Sequence, residues 1–196
     1  MRDMPNAQLR TEDTEELAEE LQLHEPVTCP VLIIISGLPG TGKTYFARRL
    51  AERLPLTIIE SDAFRKVLFP SPTYSSEESA CLFRVIHSLI KKLLKEGISL
   101  ILDATNLSDR HLVSLYLITN SSGAKPILVS VEAPDETVRQ RLETRPQDAN
   151  EKSDADWIIY LRMKEAVRKI RRQHYTVDTS RNITPVLDKI VKKVRG

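Results

Sequence analysis

The 196-residue sequence lacks the marks of several large classes of protein. Its two cysteines, Cys29 and Cys81, have no motif spacing, which excludes a disulfide framework and a cysteine-rich metal site. Its four histidines are scattered and form no ligand pair. The longest apolar run is far shorter than the roughly 20 residues of a membrane-spanning helix, and the first residues have no apolar core of a secretory signal. We therefore expect a reduced, cytoplasmic protein with no membrane partner.

Charge is distributed unevenly along a chain whose formal net charge is only +2. Residues 1–28 carry eight acidic and two basic side chains, whereas residues 161–196 carry eleven basic and three acidic ones. A basic end of this kind indicates either a polyanionic partner or an ordinary solvated helix face. The segment 11–23 has the pattern of a short acidic amphipathic helix, so we expect 1–28 to be an N-terminal helical extension and 29–196 to be the main domain.

Strand-like and helix-like segments alternate through that main domain. Continuous apolar runs rich in β-branched residues predict buried strands at 31–36, 57–61, 99–104 and 126–132, with a short strand at 175–178. Helical patterns lie at 43–54, 76–96, 108–121, 135–145, 154–174 and 182–195. Ser75 with Glu78, and Ser153 with Asp156, fit capping boxes, and Gly97 marks a helix end. The alternation predicts an α/β fold, with a parallel sheet covered by helices on both faces.

The stretch GLPGTGKT, at 37–44, matches the pattern G-x-x-x-x-G-K-[ST] in full and stands between a predicted strand and a predicted helix. Its glycines allow a tight turn that directs several N–H groups at one phosphate, and the helix dipole points at the same place. Lys43 would reach the β- and γ-phosphates, while the Thr44 hydroxyl would bind Mg²⁺. We expect the nucleotide to be bound by Gly37, Pro39, Gly40, Thr41, Gly42, Lys43, Thr44 and Tyr45.

The second predicted strand ends in ESDAFRK, which places Asp62 and Arg65 three residues apart. At the carboxyl end of a parallel strand these side chains would lie near the phosphates. Asp62 could then accept the proton of an attacking hydroxyl, and Arg65 could hold an anionic group of the acceptor. The alternative is structural, with Asp62 as a helix N-cap and the two residues as an i,i+3 ion pair.

The third predicted strand ends in LILDATNLSDR. Asp103 follows the apolar part of that strand, where a carboxylate of a P-loop protein holds Mg²⁺ or its waters. The alternative makes Asp103 a turn residue and Asn106 or Ser108 a helix cap. The adjacent phosphate loop favours the functional interpretation of Asp103.

The fourth predicted strand leads into two arginines, Arg141 and Arg145, which share a helix face at i,i+4 spacing. The polar residues 146–153 that follow have the composition of a loop between two helices. Paired arginines beside such a loop favour a lid, at about residues 139–156, that closes over the transferred phosphoryl group. The alternative is a solvated helix whose arginines pair with neighbouring glutamates. Trp157, just beyond, is expected in the core rather than as a base-stacking platform.

With these residues in place, the chain resembles a P-loop kinase family that includes polynucleotide 5′-kinases, zeta-toxin-like kinases and chloramphenicol phosphotransferase-like kinases. The resemblance rests on GLPGTGKT, ESDAFR, LDATNLSDR and RQRLETR, in that order across about residues 31–180. It implies a three-layer P-loop NTPase fold with five parallel strands and a helical lid, and it implies ATP and Mg²⁺ as ligands. The roles implied are general base for Asp62, acceptor binding for Arg65, magnesium site for Asp103, lid arginines for Arg141 and Arg145, and proximity to adenine for Arg181.

These observations predict a kinase that transfers the γ-phosphoryl group of ATP to a hydroxyl acceptor. The favoured acceptor is the 5′-OH end of RNA or DNA, because the motif order matches polynucleotide 5′-kinases and the C-terminal part is basic. A small molecule such as a nucleoside, sugar or antibiotic is the first alternative. The second is a nucleotide-dependent switch ATPase, in which ATP binding moves the lid.

Overall fold

The computed structural model describes residues 17–19, 21–105, 107–144, 153–166 and 170–196. Five strands form one sheet in the order β2-β3-β1-β4-β5. They are β1 (Val31–Gly37), β2 (Thr57–Glu60), β3 (Leu100–Thr105), β4 (Lys125–Glu132) and β5 (Tyr175–Asp178). The helices of the described ranges are α1 (Lys43–Ala51), α2 (Ser61–Leu68), α3 (Ser76–Lys95), α4 (Asp109–Ser121), α5 (Asp135–Glu143), α6 (Ser153–Ala166) and α7 (Thr184–Arg195).

The sheet follows from the apolar runs of the sequence. The first six residues of β1 and the first five of β3 are buried, as expected where helices cover both faces of a strand. The parallel register of β4 and β5 sets Val129 opposite Tyr175 and Glu132 opposite Asp178. A five-stranded parallel sheet surrounded by helices confirms the predicted α/β fold.

The chain divides into two compact units. The first comprises Met1–Leu32, Pro55–Leu102 and Ser108–Pro126. Its longest helix, α3, packs against α2 and α4 and buries a stripe of residues spaced three or four apart, namely Leu82, Val85, Ile86, Leu89, Ile90, Leu93 and Leu94. The second comprises Ile33–Leu54, Asp103–Leu107 and Ile127–Gly196. In it α1 packs against α7, and α5 packs against α6. In neither unit do the described residues include a helix long and apolar enough to cross a membrane.

Most of the predicted acidic helix at 11–23 lies outside the described residues. Residues 17–19 are helical, and Leu17 is fully buried in the first unit. Farther along, the Thr57 hydroxyl donates a hydrogen bond to the Gln22 carbonyl (2.9 Å), and the Val27 N–H donates to the Gly97 carbonyl (2.9 Å). Residues 21–27 are therefore bonded to the first unit, and a separable extension over 1–28 stays a prediction.

The helix ends follow local signals. Ser75 caps α3 by accepting a hydrogen bond from the Glu78 N–H (3.2 Å), and Ser108 caps α4 by accepting one from the His111 N–H (3.3 Å). Gly97 follows α3 with a φ of +85°, as its position predicted. The predicted cap at Ser153 rests on side chains outside the described residues.

The helix predictions contain one omission and one large error in length. The eight-residue helix α2 was missed because it begins directly after β2, with no turn sequence between them. The predicted helix at 154–174 is too long, since α6 ends at Ala166 and residues 170–174 are not helical. The end of that segment is a run of arginines and lysines, whose like charges at helical spacing oppose a helix.

A histidine pair lies between α3 and α4. The ring centroids of His87 and His111 are 5.6 Å apart, and the Phe83 ring packs against His111 in a tilted arrangement, with centroids 4.1 Å apart. Burial, with a smaller contribution from the charge of His111, lowers the pKa of His87 to about 4. Burial also lowers the pKa of His111. Both imidazoles are therefore neutral in the folded protein near neutral pH.

We expect this pair to make the protein sensitive to acid. The folded protein has a lower His87 pKa than the unfolded chain, so unfolding takes up a proton and stability falls as pH drops from about 6.5 towards 4. The loss from His87 is at most about 3 kcal/mol. The melting temperature of His87→Phe should fall less between pH 7 and pH 4.5 than that of the wild type. His24→Gln, outside the pair, should follow the wild type, and parallel curves for His87→Phe and wild type would contradict the assignment.

Candidate active site

The phosphate loop joins β1 to α1 through two left-handed glycines. Gly40 has a φ of +75° and Gly42 one of +92°, a region that side-chain-bearing residues avoid. Gly42 is the N-cap of α1, which begins at Lys43, so the first N–H groups of the helix point out of the loop. Phe46 and Leu50 are fully buried and fix the helix behind the loop. The backbone therefore has the shape of an anion-binding cradle.

Lys43 and Thr44 occupy the predicted positions in this cradle. Lys43 is buried, and its Nζ donates a hydrogen bond to the Leu38 carbonyl (3.1 Å). The Thr44 hydroxyl donates to the Asp103 Oδ2 atom (2.6 Å). Asp103 lies within β3 and is 5% exposed, so it is a strand residue and not a turn residue. The lysine, the hydroxyl and the carboxylate therefore belong to one site.

The other predicted loop residues differ in environment. A Cβ atom on Gly37 would collide with the Val131 carbonyl, which explains glycine at this close approach. The Thr41 side chain is buried and donates to the Leu38 carbonyl (2.8 Å), which holds the loop closed. Pro39 is half-buried. Tyr45 is 55% exposed on α1, so its side chain is open to a ligand rather than part of the core.

Arg141, on α5, contacts the loop through a residue that the sequence analysis missed. Its guanidinium donates to the Thr179 hydroxyl (2.8 Å), to the Thr179 carbonyl (3.0 Å) and to the Gly40 carbonyl (3.4 Å). The Thr179 hydroxyl in turn donates to the Thr41 carbonyl (2.6 Å). The helix predicted to carry the lid is therefore bonded to the phosphate loop at Arg141. No motif marks Thr179, which immediately follows β5.

The structure says less about the other two arginines with a predicted role in the site, Arg181 and Arg145. Arg181 is 83% exposed and pairs with Asp178 (3.2 Å). Hydrogen bonds from Ser180, with a smaller effect of Arg181, lower the pKa of Asp178. Arg145 and the loop predicted after it lie outside the described residues, as does Asn106 beyond β3. Their predicted roles stay predictions.

In the first unit, Asp62 and Arg65 lie on α2 but do not form the pair that the alternative interpretation required. Asp62 is exposed in the first turn, and the N-cap is Glu60. Arg65 is buried and forms an ion pair with Glu78 of α3, and it also donates to the Ser79 hydroxyl (3.3 Å). The ring of Tyr74 lies 4.8 Å from the guanidinium carbon. Arg65 is therefore engaged by protein groups, whereas Asp62 faces solvent.

Glu78 organises this cluster. Its carboxylate accepts hydrogen bonds from the Thr73 N–H (2.6 Å) and hydroxyl (2.8 Å) as well as from Arg65. Burial opposes ionisation of Glu78, but the bonds from Thr73 and Arg65 outweigh it and lower its pKa to about 2. The predicted capping box is thus only half right, because Ser75 caps α3 while the Glu78 side chain binds elsewhere.

A cavity of about 680 Å³ adjoins the phosphate loop in the second unit. Its polar lining residues are Ser36, Thr41, Ser130, Glu132, Asp135, Tyr160, Lys164, His174 and Thr176. The Asp135 carboxylate joins α5 to α6, since it accepts hydrogen bonds from the Tyr160 hydroxyl (2.8 Å) and from Lys164 (2.5 Å). Burial, with the bond to Asp135, raises the pKa of Tyr160 to about 12.

The residues present fit a magnesium ion bound together with phosphate. Among the described residues, no group of three or more His, Cys, Asp or Glu side chains could hold a metal ion. Thr44 and Asp103 offer one hydroxyl and one carboxylate side by side, which are hard oxygen donors. Mg²⁺ accepts so small a protein set because phosphate oxygens and waters complete its octahedral coordination.

Trp157 lies on α6, in the second unit. It stacks on Tyr160 with ring centroids 5.0 Å apart, and it packs against a buried cluster of Val138, Leu142 and Tyr160. A guanidinium, that of Arg139, lies 5.8 Å from its ring. Its place beside the α5–α6 contact agrees with the expected packing role.

Comparison with known proteins shows that the fold is shared with solved kinases. No curated protein sequence matches the chain. Three solved structures resemble it. The first is a sugar kinase from Janibacter sp. (15% identity, 83% of this chain and 93% of the other, TM-score 0.62). The second is the Mycobacterium tuberculosis APS kinase in complex with AMPPNP and APS (14%, 88% and 100%, 0.64). The third is a chain of the Pnkp1/Rnl/Hen1 RNA repair complex (22%, 74% and 48%, 0.55).

These structural likenesses indicate the fold, and the sequence match indicates the family. The model of one family, described as an AAA domain, matches residues 32–170 and so spans most of the chain. That range contains the phosphate loop, Asp103 and Arg141, which carry the geometry described above. The protein has the fold of the P-loop kinases and belongs to the AAA_33 family of AAA domains.

Proposed function

We propose that the protein is an ATP- and Mg²⁺-dependent kinase that transfers the γ-phosphoryl group to a hydroxyl acceptor. The observation that carries the proposal is the hydrogen bond between Thr44 and Asp103 beside the buried Lys43. A hydroxyl and a carboxylate in contact at a phosphate loop are the two protein donors that a nucleotide-bound magnesium ion requires. The kinase neighbours in fold support the same class of reaction.

The protein's own residues would act mainly by positioning and by electrostatics. The N–H groups at the start of α1 and the Lys43 ammonium group would hold the β- and γ-phosphates, and the buried site would strengthen each interaction. Bound Mg²⁺ would neutralise charge on the β- and γ-phosphate oxygens. Asp62 is exposed and is the residue that the resemblance assigns as general base, so we propose that it accepts the proton of the acceptor hydroxyl.

The favoured acceptor is a polynucleotide 5′-OH. The order of the four motifs supports it, as does the set of exposed basic residues on α7, which are Lys189, Lys192, Lys193 and Arg195. Such a set would bind a phosphate backbone without sequence preference. The role of Arg65 changes in this proposal. Since Glu78 neutralises its charge, Arg65 fixes α2 against α3 and so positions Asp62, rather than binding an acceptor phosphate.

A small hydroxyl compound is the second candidate acceptor, and the cavity beside the phosphate loop favours it. Its volume of about 680 Å³ is in the range of sites for small ligands. Serine, glutamate, lysine and histidine side chains line it and would form hydrogen bonds with a polar compound such as a sugar.

The direct test offers the enzyme both classes of acceptor. Labelled γ-phosphate of ATP, with Mg²⁺, would be followed into 5′-OH RNA and DNA oligonucleotides and into a pool of nucleosides, sugars and antibiotics. We expect label on the oligonucleotide. Lys43→Ala should reduce transfer by at least about a hundredfold, because it removes a cation from the transferring phosphoryl group. Lys91→Ala, which changes an exposed lysine of α3, should transfer normally.

The outcomes separate the candidates. Label only in the small-molecule pool would exclude a polynucleotide acceptor and keep the kinase. Slow ATP hydrolysis with no labelled acceptor would exclude the kinase and favour a switch ATPase. Substantial transfer by Lys43→Ala would contradict the assignment of the phosphate loop.

Asp62→Asn tests the general base. It keeps the size of the side chain and removes its basicity, so transfer should fall by about a hundredfold or more while ATP affinity stays nearly unchanged. The matched control is Asp109→Asn, an exposed aspartate in the first turn of α4, which should leave transfer unaltered. Full activity of Asp62→Asn would remove Asp62 from the mechanism, and global unfolding would show that its role is structural.

Glu78→Ala tests the positioning role of Arg65. It leaves a buried guanidinium without its carboxylate, so the free energy of unfolding should fall by about 3 kcal/mol in a denaturant titration. Glu77→Ala removes the neighbouring exposed glutamate and should have little effect. Because the pKa of Glu78 is lowered to about 2, its stabilising effect should persist above pH 4.5 and disappear as pH falls from there towards 2. A stability change equal to that of Glu77→Ala would contradict this role.

A further inference from the structure

We propose that Thr179 is a positioning residue whose hydroxyl joins helix α5 to the phosphate loop, so that Arg141 and the nucleotide site respond as one unit. The inference rests on the proposed function, because it concerns how that kinase would hold its nucleotide. It concerns a residue with no sequence motif and no assigned role.

The first of the two connections that Thr179 makes is to the phosphate loop. The Thr179 hydroxyl donates to the Thr41 carbonyl at 2.6 Å, across 138 residues of chain. A Cβ atom on Gly42 would lie 3.0 Å from the same hydroxyl oxygen, so Thr179 packs directly against the left-handed turn of the loop. Thr179 therefore supports the two loop residues that immediately precede Lys43.

The second connection that Thr179 makes is to the guanidinium of Arg141. It donates to the Thr179 hydroxyl at 2.8 Å and to the Thr179 carbonyl at 3.0 Å. A hydroxyl has one proton and two lone pairs. Because the proton goes to Thr41, only lone pairs are left for Arg141, and the two bonds fix each other's direction. Replacing the hydroxyl with a methyl group would break both bonds together.

The residue itself is held firmly. Thr179 is 8% exposed, and its N–H donates to the Glu132 carbonyl at 3.0 Å, which continues the β4–β5 pairing by one residue. Val177, two residues earlier, is 1% exposed. Thr179 is therefore a fixed point, to which the loop on one side and α5 on the other are attached.

The consequence is a coupling between the nucleotide site and helix α5. Phosphate bound in the loop would fix the backbone of 40–42, and the Thr179 hydroxyl would transmit that restraint to Arg141. In the opposite direction, displacement of α5 would withdraw a hydrogen bond from the group that supports the loop. Coupling of this kind is reciprocal, so it can be measured from either partner.

The test is a double-mutant cycle on nucleotide affinity. Binding of a non-hydrolysable ATP analogue with Mg²⁺ would be measured by calorimetry for the full chain. Thr179→Val keeps the shape of the side chain and should raise Kd about tenfold, the usual effect of losing a hydrogen bond to a charged group. Thr179→Ser keeps the hydroxyl and should stay within twofold of wild type. Thr184→Val makes the same change at an exposed position at the start of α7 and should have no effect.

The second arm of the cycle uses Arg141→Lys, which keeps the charge but loses the paired donors. In that background Thr179→Val should raise Kd less than it does in the wild-type background, because one of the two bonds it removes, the one from Arg141, is already gone. An equal rise in both backgrounds would overturn the proposal, since the two residues would then act independently. A change below twofold for Thr179→Val in the wild-type background, or no rescue by Thr179→Ser, would also overturn it.

Amide hydrogen exchange gives a readout that needs neither ATP nor an acceptor. Without nucleotide, exchange at residues 41–43 should be faster in Thr179→Val and in Arg141→Lys than in wild type. If Thr179→Val does not fold, Arg141→Lys carries this test alone, and unchanged exchange in it would overturn the coupling. The two proposals fail differently. If Thr179→Val binds the analogue as tightly as wild type while wild type transfers phosphate to an acceptor, only the role of Thr179 is refuted. If Thr179→Val binds the analogue more weakly but wild type labels no acceptor, only the kinase activity is refuted.

Discussion

The second unit depends on a backbone turn that only glycine adopts without strain. Gly42 has a φ of +92°, and this conformation directs the following N–H groups towards the place where a phosphate binds. A turn of this kind needs support on each side. The buried strand β1 holds its beginning, Phe46 and Leu50 anchor the helix after it, and Thr179 fills the space that a side chain on Gly42 would occupy. The binding site is thus shaped before any ligand arrives, and less ordering remains to be done on binding.

Much of the fold could be predicted, because its strongest signals are local. The runs that form β1 and β3 are apolar at nearly every position, and only strands covered on both faces bury such runs completely. The failures have local causes as well. Helix α2 has eight residues and follows β2 without a turn, so neither its length nor its boundary gives a signal. The length of α6 was overestimated because the sequence has no glycine or proline to mark a helix end before residues 170–174, which are not helical.

In the site, as in the fold, residues marked by a local signal could be predicted and residues defined by distant contacts could not. The positions of Lys43, Thr44 and Asp103 could be predicted, because a motif fixes the first two and a strand end fixes the third. Thr179 was missed, since its partner Thr41 is 138 residues away and a threonine after a short strand carries no pattern. Glu78 was read as a capping residue from its spacing to Ser75. Its carboxylate binds Arg65 and Thr73 instead. This contact depends on where α2 packs, which cannot be read from the spacing of two residues.

Arg65 and Arg141, two of the arginines predicted to bind anions, differ in the groups that hold their guanidinium. Arg65 is buried against the carboxylate of Glu78, so the pair is nearly neutral and a further anion would gain little from it. The hydrogen bonds of Arg141 go to a hydroxyl and to carbonyls, which fix the guanidinium without cancelling its charge. A cation held by neutral oxygens at the edge of a phosphate loop can still attract phosphate, and it has already lost the rotamer freedom that binding would otherwise cost. Of the two, Arg141 is therefore the arginine better suited to attract an anion, and Arg65 the one suited to hold helices together.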